Sequence, residues 1–142
     1  MIAVLVLGAG GGGGWWWWQA RHAEQQATAK AQAKARAPAQ YYALEPAFVV
    51  NLADEDAVRY LQADVQLMTR DADTRGALEL HAPALRNRLL LLFGQQSAAR
   101  LAQRSGKERL QAAALGEVRQ VLKGEGMPDK VEAVIFTSLV TQ

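Results

Sequence analysis

The 142-residue chain contains no cysteine, which excludes disulfides, thiolate nucleophiles and Cys-ligated zinc. Histidine is scarce too: only His22 and His81 could offer an imidazole, so a metal centre has few ligands to draw on. Charge of one sign is also lacking over most of the chain. Residues 41–142 hold 12 basic and 13 acidic side chains, and the formal excess of +2 comes from residues 19–40, where Arg21, Lys30, Lys34 and Arg36 face Glu24 alone. A body without a broad positive face is not built for nucleic acid, and none is expected as a partner. Length and a hydrophobic share of 50% allow one domain of ordinary size with a short appendage.

Charge is missing altogether from residues 1–18, which include the run GAGGGGGWWWWQ from Gly8 to Gln19. As a helix, 18 residues reach roughly 27 Å, close to the thickness of a bilayer's hydrocarbon core. Glycine disfavours helix in water, but an unpaired peptide group costs more in lipid, so a bilayer drives the segment to helix. Gly8 and Gly12, or Gly10 and Gly14, have the four-residue spacing that lets two helices approach closely. Trp15, Trp16, Trp17 and Trp18 surround one helical turn, as expected at the headgroup level. Residues 1–18 therefore read as a transmembrane helix in contact with membrane lipid. Two alternatives stay open: a cleaved secretory signal with Ala27-Thr28-Ala29 as its small-x-small site, and a low-complexity tail. The nearby cations all follow the span, which conflicts with an outward-facing body, and a stretch preceding Met1 would remove that conflict.

Residues 19–40, QARHAEQQATAKAQAKARAPAQ, contain good helix formers and almost nothing large and apolar. They read as a stalk ending at Pro38, helical or coiled, whose cations can touch anionic lipid. The body, 41–142, opens with EPAFVVNL, where Phe48, Val50 and Leu52 point one way in a short strand. Asp54-Glu55-Asp56 makes a turn too short and too uniform for a calcium loop. Between 58 and 70, Leu61, Ala63, Val65 and Leu67 alternate with polar residues, the pattern of a strand buried on one side. Asp73 to Gln96 changes to helical spacing, with Leu78, Leu85, Leu89 and Leu92 on one side and a bend at Pro83. A short helical piece follows at 97–103. Ser105 and Glu108 have capping-box spacing ahead of a stripe of Leu110, Ala114, Val118 and Val121, and Gly124 closes that helix. KVEAVIFTSLVTQ, apolar on both parities, is expected as an inner strand beside the strand at 58–70. The fold class is thus α+β: a small antiparallel-type sheet with helices packed on one side.

Candidate chemistry is thin. SGKE resembles the end of a phosphate loop, but Leu101 and Glu108 occupy the positions that require Gly and Ser/Thr. Asp71 and Asp73 stand where a strand yields to a helix, which favours capping over paired acid–base work. His81 has no second ligand nearby, and Arg86 and Arg88 face different sides of one helix, so one of them can meet a partner. Neither a catalytic residue nor a cofactor is expected.

The body resembles the flagellar basal body-associated FliL family through Pro46-x-Phe48-Val49-Val50-Asn51-Leu52, Arg59-Tyr60-Leu61, Pro83-x-Leu85-Arg86-Asn87, Gly106-Lys107-Glu108-x-x-Leu110 and Phe136 to Gln142. Leu139 departs from the aromatic common there, and the charged cytoplasmic leader usual in the family is missing. The resemblance implies a single-pass bacterial inner-membrane protein with a periplasmic domain similar to stomatin and prohibitin domains. It also implies association with the MotA/MotB stator and a homo-oligomeric ring that supports torque, swimming and swarming. Tyr41 and Tyr42, beside the stalk, together with Arg86, are the candidate partner contacts. The rival reading is a membrane-tethered sensor or ligand-binding domain, which would require an apolar pocket with converging polar groups.

Overall fold

The computed structural model describes residues 12–35 and 37–142, and the chain divides into a unit ending at Ala37 and a body from Pro38 to Gln142. In the first unit, helix α1 runs from Gly12 to Ala35, carried by the Ala- and Gln-rich composition of residues 19–35. Every side chain from Trp17 to Gln32 is exposed, and α1 has no apolar face. Among the described residues no helix is long and apolar enough to cross a membrane. Residues 1–11 of the expected span, Gly8 and Gly10 among them, lie outside the described residues.

In the body, strands β1 (Gln40–Ala43), β2 (Phe48–Asn51) and β3 (Tyr60–Thr69) precede helices α2 (Ala72–Leu80), α3 (Ala82–Gly94), α4 (Ala98–Ala102) and α5 (Arg104–Gly124), and β4 (Val131–Thr141) ends the chain. The architecture is α+β with a four-stranded, wholly antiparallel sheet. β3 is its axis: β1 pairs with its C-terminal half and β2 with its N-terminal half, while β4 pairs along nearly its whole length. The expected neighbour of the last strand is correct, but its inner position is not. β4 pairs with β3 alone and is an edge; it is apolar on both parities because Val134 and Phe136 join the core while Ile135 stays half-buried on the other face.

The alternation in β3 decides which face is covered. Leu61, Ala63, Val65, Leu67 and Thr69 are buried, whereas their neighbours from Tyr60 to Met68 are exposed or half-buried. Helices close the first face through Ala77, Leu78, Leu85, Leu89, Phe93, Leu110, Ala114, Val118 and Leu122. Phe48 meets Phe93 edge-on and Phe136 lies tilted against Phe93, with ring centroids 5.1 and 5.8 Å apart. The apolar stripes are those expected with two corrections at their ends. Phe93 and Leu122 are fully buried, whereas Leu92 and Val121 are half-buried.

Local stops also moved. The break between α2 and α3 falls at His81, and Pro83 sits in the first turn of α3, where its missing N–H is harmless. α5 starts at Arg104 behind Gln103, so Ser105 is already helical and the expected capping box does not form; Glu108 instead pairs with Arg104 at 2.7 Å. The helix is pinned earlier because α4 and α5 touch at Gly106, where a Cβ would stand 1.8 Å from the Arg100 carbonyl oxygen. α5 does end at Gly124, but the left-handed residue is Gly126 (φ 67°), and Met127 N–H closes the turn onto the Leu122 carbonyl at 2.9 Å.

Candidate interaction surfaces

Tyr41 and Tyr42 are neighbours in β1, so they leave opposite faces of the sheet. Tyr42 packs against the core, with the Arg75 guanidinium 4.6 Å over its ring. Tyr41 is exposed on the other face beside Met68. The four-residue strand that holds them was not anticipated; it gave too little alternation to register, and its pairing partner lies more than twenty residues away.

Arg86 is placed under the β1–β2 connection. Its guanidinium donates to the carbonyls of Leu44 (3.4 Å), Pro46 and Ala47 (3.2 Å) and lies 4.3 Å over the Phe48 ring. Three carbonyl dipoles and an aromatic face, rather than a carboxylate, satisfy this cation. Arg88 leaves the helix elsewhere and pairs with Glu117 at 2.8 Å, tying α3 to α5.

Of the two carboxylates considered as an acid–base pair, Asp71 serves as a cap. Asp71 ends β3 and begins α2, and its Oδ2 accepts from Thr74 N (3.0 Å) and Thr74 Oγ1 (2.8 Å). The buried Thr69 hydroxyl accepts from Asp71 N (3.1 Å) and donates to the Lys130 carbonyl (2.7 Å), locking α2 to the start of β4. Asp73 is exposed in the first turn of α2, where the helix dipole favours it. Asp54, from the acidic turn, accepts from Ala98 N at 3.0 Å at the head of α4. Among the described residues no three His, Cys, Asp or Glu gather as a metal site.

Within the body, two surfaces carry no covering element of the body itself. One is the outer sheet face, whose cross-strand rows run Tyr41–Met68–Ala133, Ala43–Gln66–Ile135, Asp64–Ser138, Val49–Gln62–Val140 and Asn51–Tyr60. Asp64 brings the one charge to these rows, and Val49 is 63% and Val140 44% exposed. The other is the free edge of β4. A groove of about 410 Å³ between α4 and α5 is lined by Arg100, Arg109 and Gln96 over Gly106 and Leu110. On the separate α1 unit, Arg21 lies 4.0 Å over the exposed Trp17 ring and His22 meets Trp18 at 4.1 Å. Among the described residues, nothing lies within 4 Å of a Cβ placed at Gly14.

This arrangement defines a structural class: an α+β module in which helices cover one face of a small antiparallel sheet and the other face lies open. Residues 41–142 match the family model of the flagellar basal body-associated protein FliL, and the chain belongs to that family. It is similar to the flagellar protein FliL of Escherichia coli K12, with 38% identity over 104 residues covering 70% of this chain and 63% of that protein. It is also similar to the flagellar protein FliL of Aquifex aeolicus VF5, with 26% identity over 101 residues covering 71% of this chain and 60% of that protein. The matched region thus spans less than two thirds of the length of these relatives.

The residues that carry the family resemblance are largely those that hold the body together. Pro46 to Leu52 form the segment gripped by Arg86 and the strand that follows it; Pro83 to Asn87 start α3 and supply that arginine. Gly106 permits the α4–α5 contact, and Phe136 to Thr141 form the C-terminal half of β4, with Gln142 just beyond it.

Proposed function

We propose that this protein is a flagellar motor accessory protein: a single-pass inner-membrane scaffold whose body lies in the periplasm, associates with the MotA/MotB stator and assembles as a homo-oligomeric ring that supports torque, swimming and swarming. The observation that carries this reading is the family match over the whole body. The open sheet face agrees with it, since an almost uncharged face needs a partner more than it needs water. The glycine pairs Gly8/Gly12 and Gly10/Gly14 would pack the membrane helix, and Trp15 to Trp18 would mark its boundary with lipid. Of the candidate contacts, Tyr41 is the one presented on the open face; Tyr42 and Arg86 would act by holding β1 in place for it. A likeness of the body to stomatin and prohibitin domains belongs to the same proposal.

The sensor reading asks for an apolar pocket, whereas the groove between α4 and α5 is bordered by exposed arginines. Deletion of the gene should reduce swimming speed and swarm expansion while leaving filaments assembled, and expression of the chain in trans should restore both. Normal motor output in the deletion strain, with the protein shown to be present in the parent, would end the motor assignment.

A further inference from the structure

We propose that the groove between α4 and α5 is a docking site for an extended acidic segment of another protein, with carboxylates on Arg100 and Arg109 and an apolar side chain between them on the floor. This goes beyond the motor reading and rests on neither the membrane anchor nor the ring.

The groove follows from close packing at one point. Where α4 meets α5, Gly106 brings the α5 backbone against the Arg100 carbonyl, too near for any Cβ. Gly106, Arg109, Leu110 and Ala113 recur on one side of α5 at helical spacing. With Arg100 from α4 and Gln96 from the turn before it, they line about 410 Å³. Gly106, Leu110 and Ala113 make the floor apolar, and Arg100 and Arg109 are exposed, one on each wall.

Charge names the occupant. The body as a whole is slightly acidic, yet between residues 96 and 113 Arg100, Arg104, Lys107 and Arg109 stand against Glu108 alone. Glu108 is already engaged by Arg104 at 2.7 Å. Six of the nine arginines of the body are held by a carboxylate or a carbonyl. Among the described residues no such group holds the guanidinium of Arg59, Arg100 or Arg109, and two of these three share the groove. Asp54, from the neighbouring acidic turn, is directed at the head of α4, where it accepts from Ala98 N at 3.0 Å.

Two unpartnered guanidinium forks fit carboxylates, and an apolar floor between them would serve nothing in a site for free phosphate. A concave floor likewise suits a chain segment better than the plane of a bilayer. Gln96 adds what a main chain needs. Its Nε2 donates to the Leu92 carbonyl at 3.1 Å and its backbone carbonyl accepts from Ala53 N at 2.9 Å, which fixes the residue and leaves Oε1 as an acceptor for a peptide N–H. In an extended segment alternate side chains point opposite ways, so an apolar residue faces the floor while its acidic neighbours reach the walls.

The probe is a fluorescein-labelled peptide of Glu-Val repeats, with Gln-Val repeats as control, titrated against the full chain in a neutral detergent and read by fluorescence anisotropy. Binding of the acidic peptide should fade as salt is raised. Arg100→Ala and Arg109→Ala should each weaken it about tenfold, and Arg109→Lys should recover only part of that loss. Arg59→Ala, which removes an equally unheld cation outside the groove, should leave it unchanged. Arg100→Glu with Arg109→Glu should transfer binding to a peptide of Lys-Val repeats. Both arginines are exposed, so far-UV circular dichroism should stay the same in every variant. No binding, equal binding of the Gln-Val peptide, or equal weakening by Arg59→Ala would overturn the site. So would phosphatidylglycerol vesicles that bind through the same two arginines while the peptide does not. None of these outcomes touches the motor reading, which stands or falls with swimming and swarming.

Discussion

The two faces of β3 are interleaved residue by residue, yet they are treated in opposite ways. Leu61, Ala63, Val65 and Leu67 are buried under the helices, while Gln62, Asp64 and Gln66 lie on a face that no element of the body covers. The covered face follows from apolar alternation, and the hydrophobic effect accounts for it without reference to any partner. The open face differs from an ordinary solvated face in its near lack of charge and in the apolar residues Tyr41, Val49, Tyr60 and Val140 exposed on it. One strand thus carries both a folding instruction and a surface instruction, separated by a single residue in register.

The contrast can be broken most severely from the covered side. Phe93→Ala removes the central ring of the Phe48–Phe93–Phe136 stack and should cost about 3–5 kcal/mol, read as a lower midpoint in urea unfolding of the body. Arg86→Ala should cost about 1–3 kcal/mol, because three carbonyls of the β1–β2 connection lose their donor. Arg86→Lys should recover little of it, since an ammonium cannot span the three acceptors and stack on Phe48 as well. Tyr60→Ser, on the open face, should move stability by no more than about 0.5 kcal/mol. If Tyr60→Ser destabilised the monomer as much as Phe93→Ala does, the face would not be open in solution.

Much of the body was legible because its elements obey clear periods. The long strand at 60–69, its pairing with the last strand, and the stripe of Leu110, Ala114 and Val118 all follow from spacing alone. What escaped had short-range signals too weak, or long-range causes. β1 offered four residues and a distant partner, and the start of α5 was set by the contact of Gly106 with α4 rather than by the Ser105–Glu108 pattern. The candidate contacts were legible as residue types but not as surfaces. Tyr41 and Tyr42 parted to opposite faces, and Arg86, a cation suited to an outside partner, was drawn inward by three carbonyls.

Composition, charge distribution and apolar spacing by themselves determined an α+β body preceded by a polar segment rich in helix formers, because burial and backbone propensity act on residues near one another in the chain. Tertiary structure alone decided that β4 is an edge, that no element of the body covers one sheet face, and that Arg86 and Gly106 serve as a clamp and a close contact. Those outcomes depend on which strand ends lack a neighbour, a property of distant segments brought together that no local pattern encodes.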